Sequence, residues 1–199
     1  FRFRDSKKMF IAGVPAIVNR ISFTGELGYE IYVAPHFQLK LYEELTEAGK
    51  EFNIKPFGSR ALMSMRLEKN WGAWTLDYRP DFTAKETGLD SFINWDKDFI
   101  GKKSAQKDES KNKLTPLIVE TNDIDVTYNE AVLIGDKSIG YVTSGGFAHF
   151  INKSVAFSYV DQNELKSEQG IQVEINGDFF NCSIIKEPLY DPSGQKMRS

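Results

Sequence analysis

The hydrophobic period of this chain changes at one polar stretch, Gln106 to Lys113, where Lys107, Asp108, Glu109, Lys111 and Lys113 follow in close succession. Before it, Phe37, Leu41, Leu45, Ala48 and Phe52 recur at spacings of three and four, the spacing that lines up one face of a helix. Glu43, Glu44, Glu47 and Lys50 fill the opposite face. After the polar stretch the apolar residues come in short strand-length runs. Ile171-Gln172-Val173-Glu174-Ile175 alternates and leads into Asn176-Gly177, a pair that accepts the positive φ of a tight hairpin. Ala131 to Ile134 and Ile139 to Val142 flank a second turn, and Val155 to Val160 supplies a further strand. The expectation is an α+β chain. Residues 1–105 form a mixed first part, an antiparallel sheet with helices; 106–113 form a linker; 114–199 form a small antiparallel barrel or sandwich.

Within the first part, Ala16 to Ile21 and Tyr29 to Val33 read as two strands of a hairpin joined through Gly25 and Gly28. Pro56 is expected to end the helix that begins near Phe37, and a second helix starts at Ser59 and runs towards Glu68. Asn70 to Ala84, with Trp71, Trp74, Tyr78 and Phe82, reads as an irregular aromatic loop. Gly88 to Trp95 reads as a strand, and a short helix starts at Lys102. No internal repeat is visible.

Composition excludes several functions. With 25 Lys and Arg against 28 Asp and Glu, the net charge is -3, which gives no electrostatic footprint for nucleic acid. No apolar run approaches the ~20 residues that span a bilayer, so a soluble chain without a membrane partner is expected. One cysteine, Cys182, rules out an internal disulfide, and with only His36 and His149 beside it no Cys/His zinc site can be assembled. Cys182 is expected to be a buried, inert thiol in a reducing compartment. The first residue is Phe1, so the chain is expected to be a piece of a longer one.

Two segments carry candidate chemistry. In Phe23-Thr24-Gly25-Glu26-Leu27-Gly28-Tyr29-Glu30, an aromatic and a carboxylate bracket a turn. A carboxylate can accept two parallel N–H bonds from an amino-oxo ring edge, at roughly 1.5–3 kcal/mol for each charge-assisted bond. The alternative is that Glu30 lies on a solvated strand face while Tyr29 packs inward. In Arg66-Leu67-Glu68 with Trp71 and Trp74 downstream, Arg66 can grip a carboxylate in bidentate fashion and a Trp can cover a flat ring. The alternative is a surface pairing of Arg66 with Glu68 and a pair of core tryptophans.

These residues also carry a resemblance. Arg20 to Tyr32 resembles the Y-T-G-E-x-G-[FWY]-E-[IL] segment of the glycine cleavage T-protein (aminomethyltransferase) family. Gly58 to Glu68 is similar to that family's G-x-x-A-x-x-x-x-R-L-E, and Asp96 to Lys102 to its D-K-x-F-[IV]-G-[KR]. Gly140-Tyr141-Val142-Thr143-Ser144-Gly145-Gly146-Phe147 and Lys153-Ser154-Val155-Ala156 resemble motifs of its C-terminal barrel. Lys69, Trp74 and the tail Glu187 to Arg198 look most like the folate-binding half of the dimethylglycine and sarcosine dehydrogenases.

The resemblance implies tetrahydrofolate binding and one-carbon transfer. Glu30 is then the pterin reader, Phe23 lines the site without the hydroxyl of the commoner Tyr, and Arg66 and Trp74 complete the set. It also implies an N-terminal flavin domain in the same polypeptide, holding FAD and oxidising an N-methyl amine, whose carbon is captured as methylene-tetrahydrofolate. The family's catalytic acidic residue has no match in this chain. Other readings are a lipoyl-linked aminomethyltransferase, a folate-dependent demethylase of a different donor, and a folate-binding module without catalysis. The compartment implied is bacterial cytoplasm, or the mitochondrial matrix in a eukaryote.

Overall fold

The computed structural model describes residues 1–121, 123–165 and 170–199. The chain divides into two compact units, Phe1–Arg66 with Asp191–Ser199, and Leu67–Tyr190.

The first unit is built on a three-stranded antiparallel sheet of β1 (Ser6–Ile11), β2 (Val14–Asn19) and β3 (Glu30–Tyr32), in that order. The hairpin read between β2 and β3 is present, with Asn19 opposite Glu30 and Ile17 opposite Tyr32. Val14, Ala16 and Val18 alternate into the interior along β2, which is why that strand was legible. β1 was not. It carries Lys7-Lys8-Met9-Phe10 with no period of two, and five of its six residues are exposed.

Helix α1 (Gln38–Gly49) follows, extended by a 3-10 turn at Lys50–Phe52. It stops earlier than Pro56. Asn53 adopts φ 56°, ψ 41°, and the Ile54 N–H donates to the Gly49 carbonyl at 3.0 Å. A left-handed Asn therefore closes this helix before the proline is reached. Of the apolar stripe on α1, Leu41 is buried, whereas Leu45 and Phe52 are exposed. Helix α2 (Ser59–Glu68) then begins where expected. The C-terminal segment returns to this unit with α4 (Gln195–Arg198), where the buried Arg20 guanidinium donates to the Met197 carbonyl at 2.9 Å.

The second unit is a closed six-stranded antiparallel barrel in the order β4-β7-β6-β5-β8-β9. Its strands are β4 (Asn112–Val119), β5 (Ala131–Ile134), β6 (Lys137–Ala148), β7 (Lys153–Asp161), β8 (Ile171–Ile175) and β9 (Asp178–Ile184). Closure decides between barrel and sandwich. Asn176 (φ 54°) and Gly177 (φ 91°) make the β8–β9 turn, with Ile175 opposite Asp178. Leu117, Val119, Val132, Val142, Ile171 and Val173 fill the barrel, each at most 1% exposed. Along β7 both faces are buried: Ala156 and Val160 point into the barrel, while Val155 and Phe157 join an outer cluster with Leu67 and Ile185.

The run Gly88 to Trp95 is not a strand. It forms a 3-10 turn at Asp90–Phe92, with the Leu89, Phe92 and Ile93 amides bonded to carbonyls three to five residues back. Phe92 is exposed, so the apolar pattern there had no sheet partner to satisfy. Upstream, Thr83 and Glu86 bond each other's backbone N–H at 3.2 and 2.9 Å, the reciprocal arrangement of a capping box. The short helix α3 (Lys102–Gln106) starts where the sequence indicated.

Candidate functional site

In the first unit, the turn between β2 and β3 is set by small groups. Ser22 Oγ accepts from the Gly25 N–H at 3.0 Å, and Thr24 Oγ1 from the Glu26 N–H at 3.3 Å. Phe23 is half-buried in that turn. Glu30 opens β3 with an exposed side chain, and its Oε2 accepts from the Tyr32 hydroxyl at 2.5 Å. That bond, together with the nearby carboxylate charge, raises the Tyr32 pKa above its ordinary value. An ionised carboxylate has about four acceptor positions, so one bond from Tyr32 leaves capacity for a ligand's N–H groups. The pairing with Tyr32 follows from strand periodicity, because residues two apart share a face. Tyr29 does not pack inward. It is 48% exposed, with Phe1 5.6 Å away and the Arg20 guanidinium 5.3 Å over its ring.

Arg66, in the last turn of α2, is fully buried. The surface pairing with Glu68 therefore fails. Glu68 is buried too, and its Oε1 accepts from the Phe150 N–H at 2.6 Å. Lys69 is buried as well and donates to the Tyr190 carbonyl at 3.1 Å. The sequence reads Arg66-Leu67-Glu68 through its charges and Lys69 only through the resemblance, whereas the fold uses Glu68 and Lys69 as interior hydrogen-bonding groups.

In the second unit, Trp74 is no core residue: it is 77% exposed. The turn that displays it is tightly made. The Asp77 and Tyr78 amides both donate to the Ala73 carbonyl, at 2.9 and 3.0 Å, and the Thr75 amide donates to the Tyr78 carbonyl at 3.0 Å. Tyr78 meets the Trp74 indole edge-on at 5.7 Å, and its hydroxyl accepts from the Gly72 N–H at 3.1 Å. Further along, Phe82 stacks on Tyr159 at 3.5 Å, and Arg79 donates to the Tyr141 hydroxyl at 2.8 Å.

Asp77, which sequence reasoning missed, is the buried centre of this loop. Its Oδ2 accepts from the Ala73 N–H at 2.8 Å, and its Oδ1 from the hydroxyls of Thr143 and Ser144 at 2.5 and 2.6 Å. Its carbonyl accepts from the Tyr159 hydroxyl at 2.7 Å. Neighbouring side chains on a regular strand point to opposite faces. Here the β6–β7 register shifts between Val142 and Ser144, and this bulge turns both hydroxyls towards one carboxylate oxygen.

Among the described residues there is no His, Cys, Asp and Glu grouping that could hold a metal ion, and no helix is long and apolar enough to cross a membrane. Cys182 lies on β9, its thiol pushed up to about 12 by burial. His36 and His149 are exposed, each beside a phenylalanine ring.

Comparison with known proteins places these features. Residues 1–97 match the GCVT N-terminal domain, and residues 112–191 match the glycine cleavage T-protein C-terminal barrel domain. The chain is 39% identical over 194 residues to mitochondrial dimethylglycine dehydrogenase of Rattus norvegicus, covering 95% of this chain and 23% of that protein. It is 30% identical over 200 residues to an aminomethyltransferase of Thermoanaerobacter pseudethanolicus, covering 98% of this chain and 54% of that protein. The chain thus spans about a quarter of the first relative and about half of the second. The crystal structure of glycine cleavage system aminomethyltransferase T from Bartonella henselae shares the fold, with a TM-score of 0.82, 24% identity, and coverage of 96% of this chain and 54% of that one. With both domain models matched in order and the barrel closed as they require, the chain belongs to the glycine cleavage T-protein (aminomethyltransferase) family.

Proposed function

We propose that this chain is the tetrahydrofolate-binding, one-carbon-transfer portion of a dimethylglycine or sarcosine dehydrogenase-like enzyme. The observation that carries the reading is the dimethylglycine dehydrogenase similarity, 36–39% identity across 95% of the chain, against 30–32% for the aminomethyltransferases. Phe23 and Glu30 of the first unit, and separately Trp74 of the second, are the residues proposed to contact the folate; Arg66, the remaining member of the set, is fully buried, so a contact from it requires the end of α2 to open. The donor set suits that group. Glu30 is an exposed carboxylate held by one hydroxyl and able to accept from an amino-oxo ring edge, and Trp74 offers an open indole face for stacking. Bound tetrahydrofolate would supply the nucleophilic nitrogen that takes up the carbon. The chain's own residues orient it, Glu30 by hydrogen bonds and the aromatic side chains by excluding water, so that capture gains the advantage of a held geometry.

FAD does not fit the described residues. β3 reaches α1 through residues 33–37, the last three a 3-10 turn at Pro35–Phe37, and this strand-to-helix passage has no glycine to let a backbone approach a pyrophosphate. The reading therefore assigns FAD to an N-terminal flavin domain of the same polypeptide, and takes residues 1–105 and 114–199 as the two domains of this portion, with 106–113 as the linker between them. Mitochondrial dimethylglycine dehydrogenases among the relatives favour a matrix location if the source is eukaryotic, and bacterial cytoplasm otherwise.

Calorimetric titration with tetrahydrofolate, run beside Glu30→Ala, tests the reading. The variant should weaken binding about tenfold or more, from the loss of charge-assisted bonds of roughly 1.5–3 kcal/mol each. Equal affinities would remove Glu30 from the site.

A further inference from the structure

Trp74 is 77% exposed, yet the turn that carries it is closed by both backbone and side-chain hydrogen bonds. Thr75, the next residue, has φ 68° without being glycine, a conformation that persists only where the surroundings over-determine it. What over-determines it is Asp77. One carboxylate oxygen closes the turn through the Ala73 N–H, and the other ties it to the bulge of β6 through Thr143 and Ser144. Asp77 is fully buried, so these bonds form away from water, where losing one leaves a desolvated donor behind.

We propose that Asp77 is the positioning residue for Trp74: it fixes the indole in place before ligand arrives, with the Thr143-Ser144 bulge as its anchor on the barrel. This rests on the reading of Trp74 as a folate contact. A platform fixed in advance spares the ligand the entropy of ordering it, so loosening the turn weakens stacking without removing any atom that touches the ligand.

The chemistry also singles out the variant that should preserve the turn. In Asp77→Asn the amide oxygen can accept from the Ala73 N–H while the amide nitrogen faces the two hydroxyls. Those hydroxyls can rotate, and Thr143 Oγ1 has another acceptor in the Phe157 carbonyl at 3.2 Å. Asp77→Ala offers no such exchange.

The test uses the chain labelled with 5-fluorotryptophan, which gives one fluorine resonance for each of Trp71, Trp74 and Trp95; Trp74→Phe assigns the one of interest. In Asp77→Ala, and in the Thr143→Val, Ser144→Ala pair should the first fail to fold, the Trp74 resonance should move to the solvent-averaged position while that of Trp95 stays. Amide exchange at Ala73 and Tyr78 should quicken at least tenfold, and Asp77→Asn should restore both signals. Tetrahydrofolate affinity should fall about tenfold in Asp77→Ala and no further when Trp74→Ala is added, the non-additivity of two residues acting through one contact. An unmoved Trp74 resonance in Asp77→Ala, or Asp77→Asn behaving like it, overturns the proposal. If Trp74→Ala binds tetrahydrofolate like wild type, the ligand reading of Trp74 fails; the fluorine and exchange signals then still decide whether Asp77 sets the turn.

Discussion

Gly140 lies on β6 opposite Val160 of β7. A methyl group built there would stand 2.0 Å from the Tyr159 carbonyl oxygen, 2.9 Å from its carbon and 3.0 Å from the Val160 Cα. All three obstacles are backbone, so no side chain can turn aside. Relieving the contact to an ordinary 3.2 Å or so means moving the strands apart by about 1.2 Å, enough to lose the ladder bonds around that pair. Two such bonds at about 1 kcal/mol each, with about 1–3 kcal/mol for the overpacking, put the cost of Gly140→Ala at about 3–5 kcal/mol. The matched control is Gly135→Ala in the β5–β6 turn. Its φ is +56°, but an added methyl would meet nothing within 4 Å, so it should cost about 1–2 kcal/mol through the dihedral alone. Urea unfolding followed by tryptophan emission reads this unit, since Trp71, Trp74 and Trp95 all lie within it. With m near 2 kcal/mol/M, Gly140→Ala should lower the midpoint by about 2 M, and Gly135→Ala by less than 1 M. Equal shifts would refute the steric argument.

Two further outcomes follow from titrating groups. The Cys182 thiol, raised to about 12 in the folded chain, stays protonated while the unfolded thiol ionises from about pH 8.5, so stability should fall as pH rises above that value. Replacing Cys182 by Ala should flatten the decline of the urea midpoint between about pH 8.5 and 10.5, and parallel declines would contradict the burial. Asp108 is held down to about 2 by the Ser110 hydroxyl first, then by Thr83 and the Ser110 N–H. Its contribution should therefore be present above about pH 4 and vanish as pH falls towards 2, so the midpoints of Asp108→Asn and wild type should differ at pH 6 and converge near pH 2; a gap that persists at pH 2 would show that the bonds do not depend on the charge.

The barrel was legible because its strands declare themselves locally. Ile171, Val173 and Ile175 alternate, and Asn176-Gly177 supplies the turn with the required φ signs. β1 was illegible for the converse reason: a strand exposed on most of its length has no alternation to show. Gly88 to Trp95 misled because a short apolar run looks alike in a strand and in a packed turn, and only pairing tells them apart. The candidate site divides in the same way. Glu30 and Trp74 stood out by residue type and by resemblance, and the structure leaves both side chains exposed. Asp77 gave no signal, because its partners Thr143 and Ser144 lie 66 and 67 residues away and reach it only through a bulge. Such a shift of register leaves no mark that one sequence can display.

The order of strands around the barrel has a kinetic side. β4 is the first barrel strand in the chain, yet its neighbours are β7 and β9, so residues 112–119 cannot be paired on both edges until 178–184 exist. The hairpins β5–β6, β6–β7 and β8–β9 need only local chain and can form early. Closing the ring is then the search for a distant seam, the kind of step that places barrels among the slower-folding small domains, at milliseconds to seconds. On a ribosome adding about 5–20 residues each second, β4 waits several seconds for its last neighbour, and until Asp161 has been made it has neither β7 nor β9 to pair with.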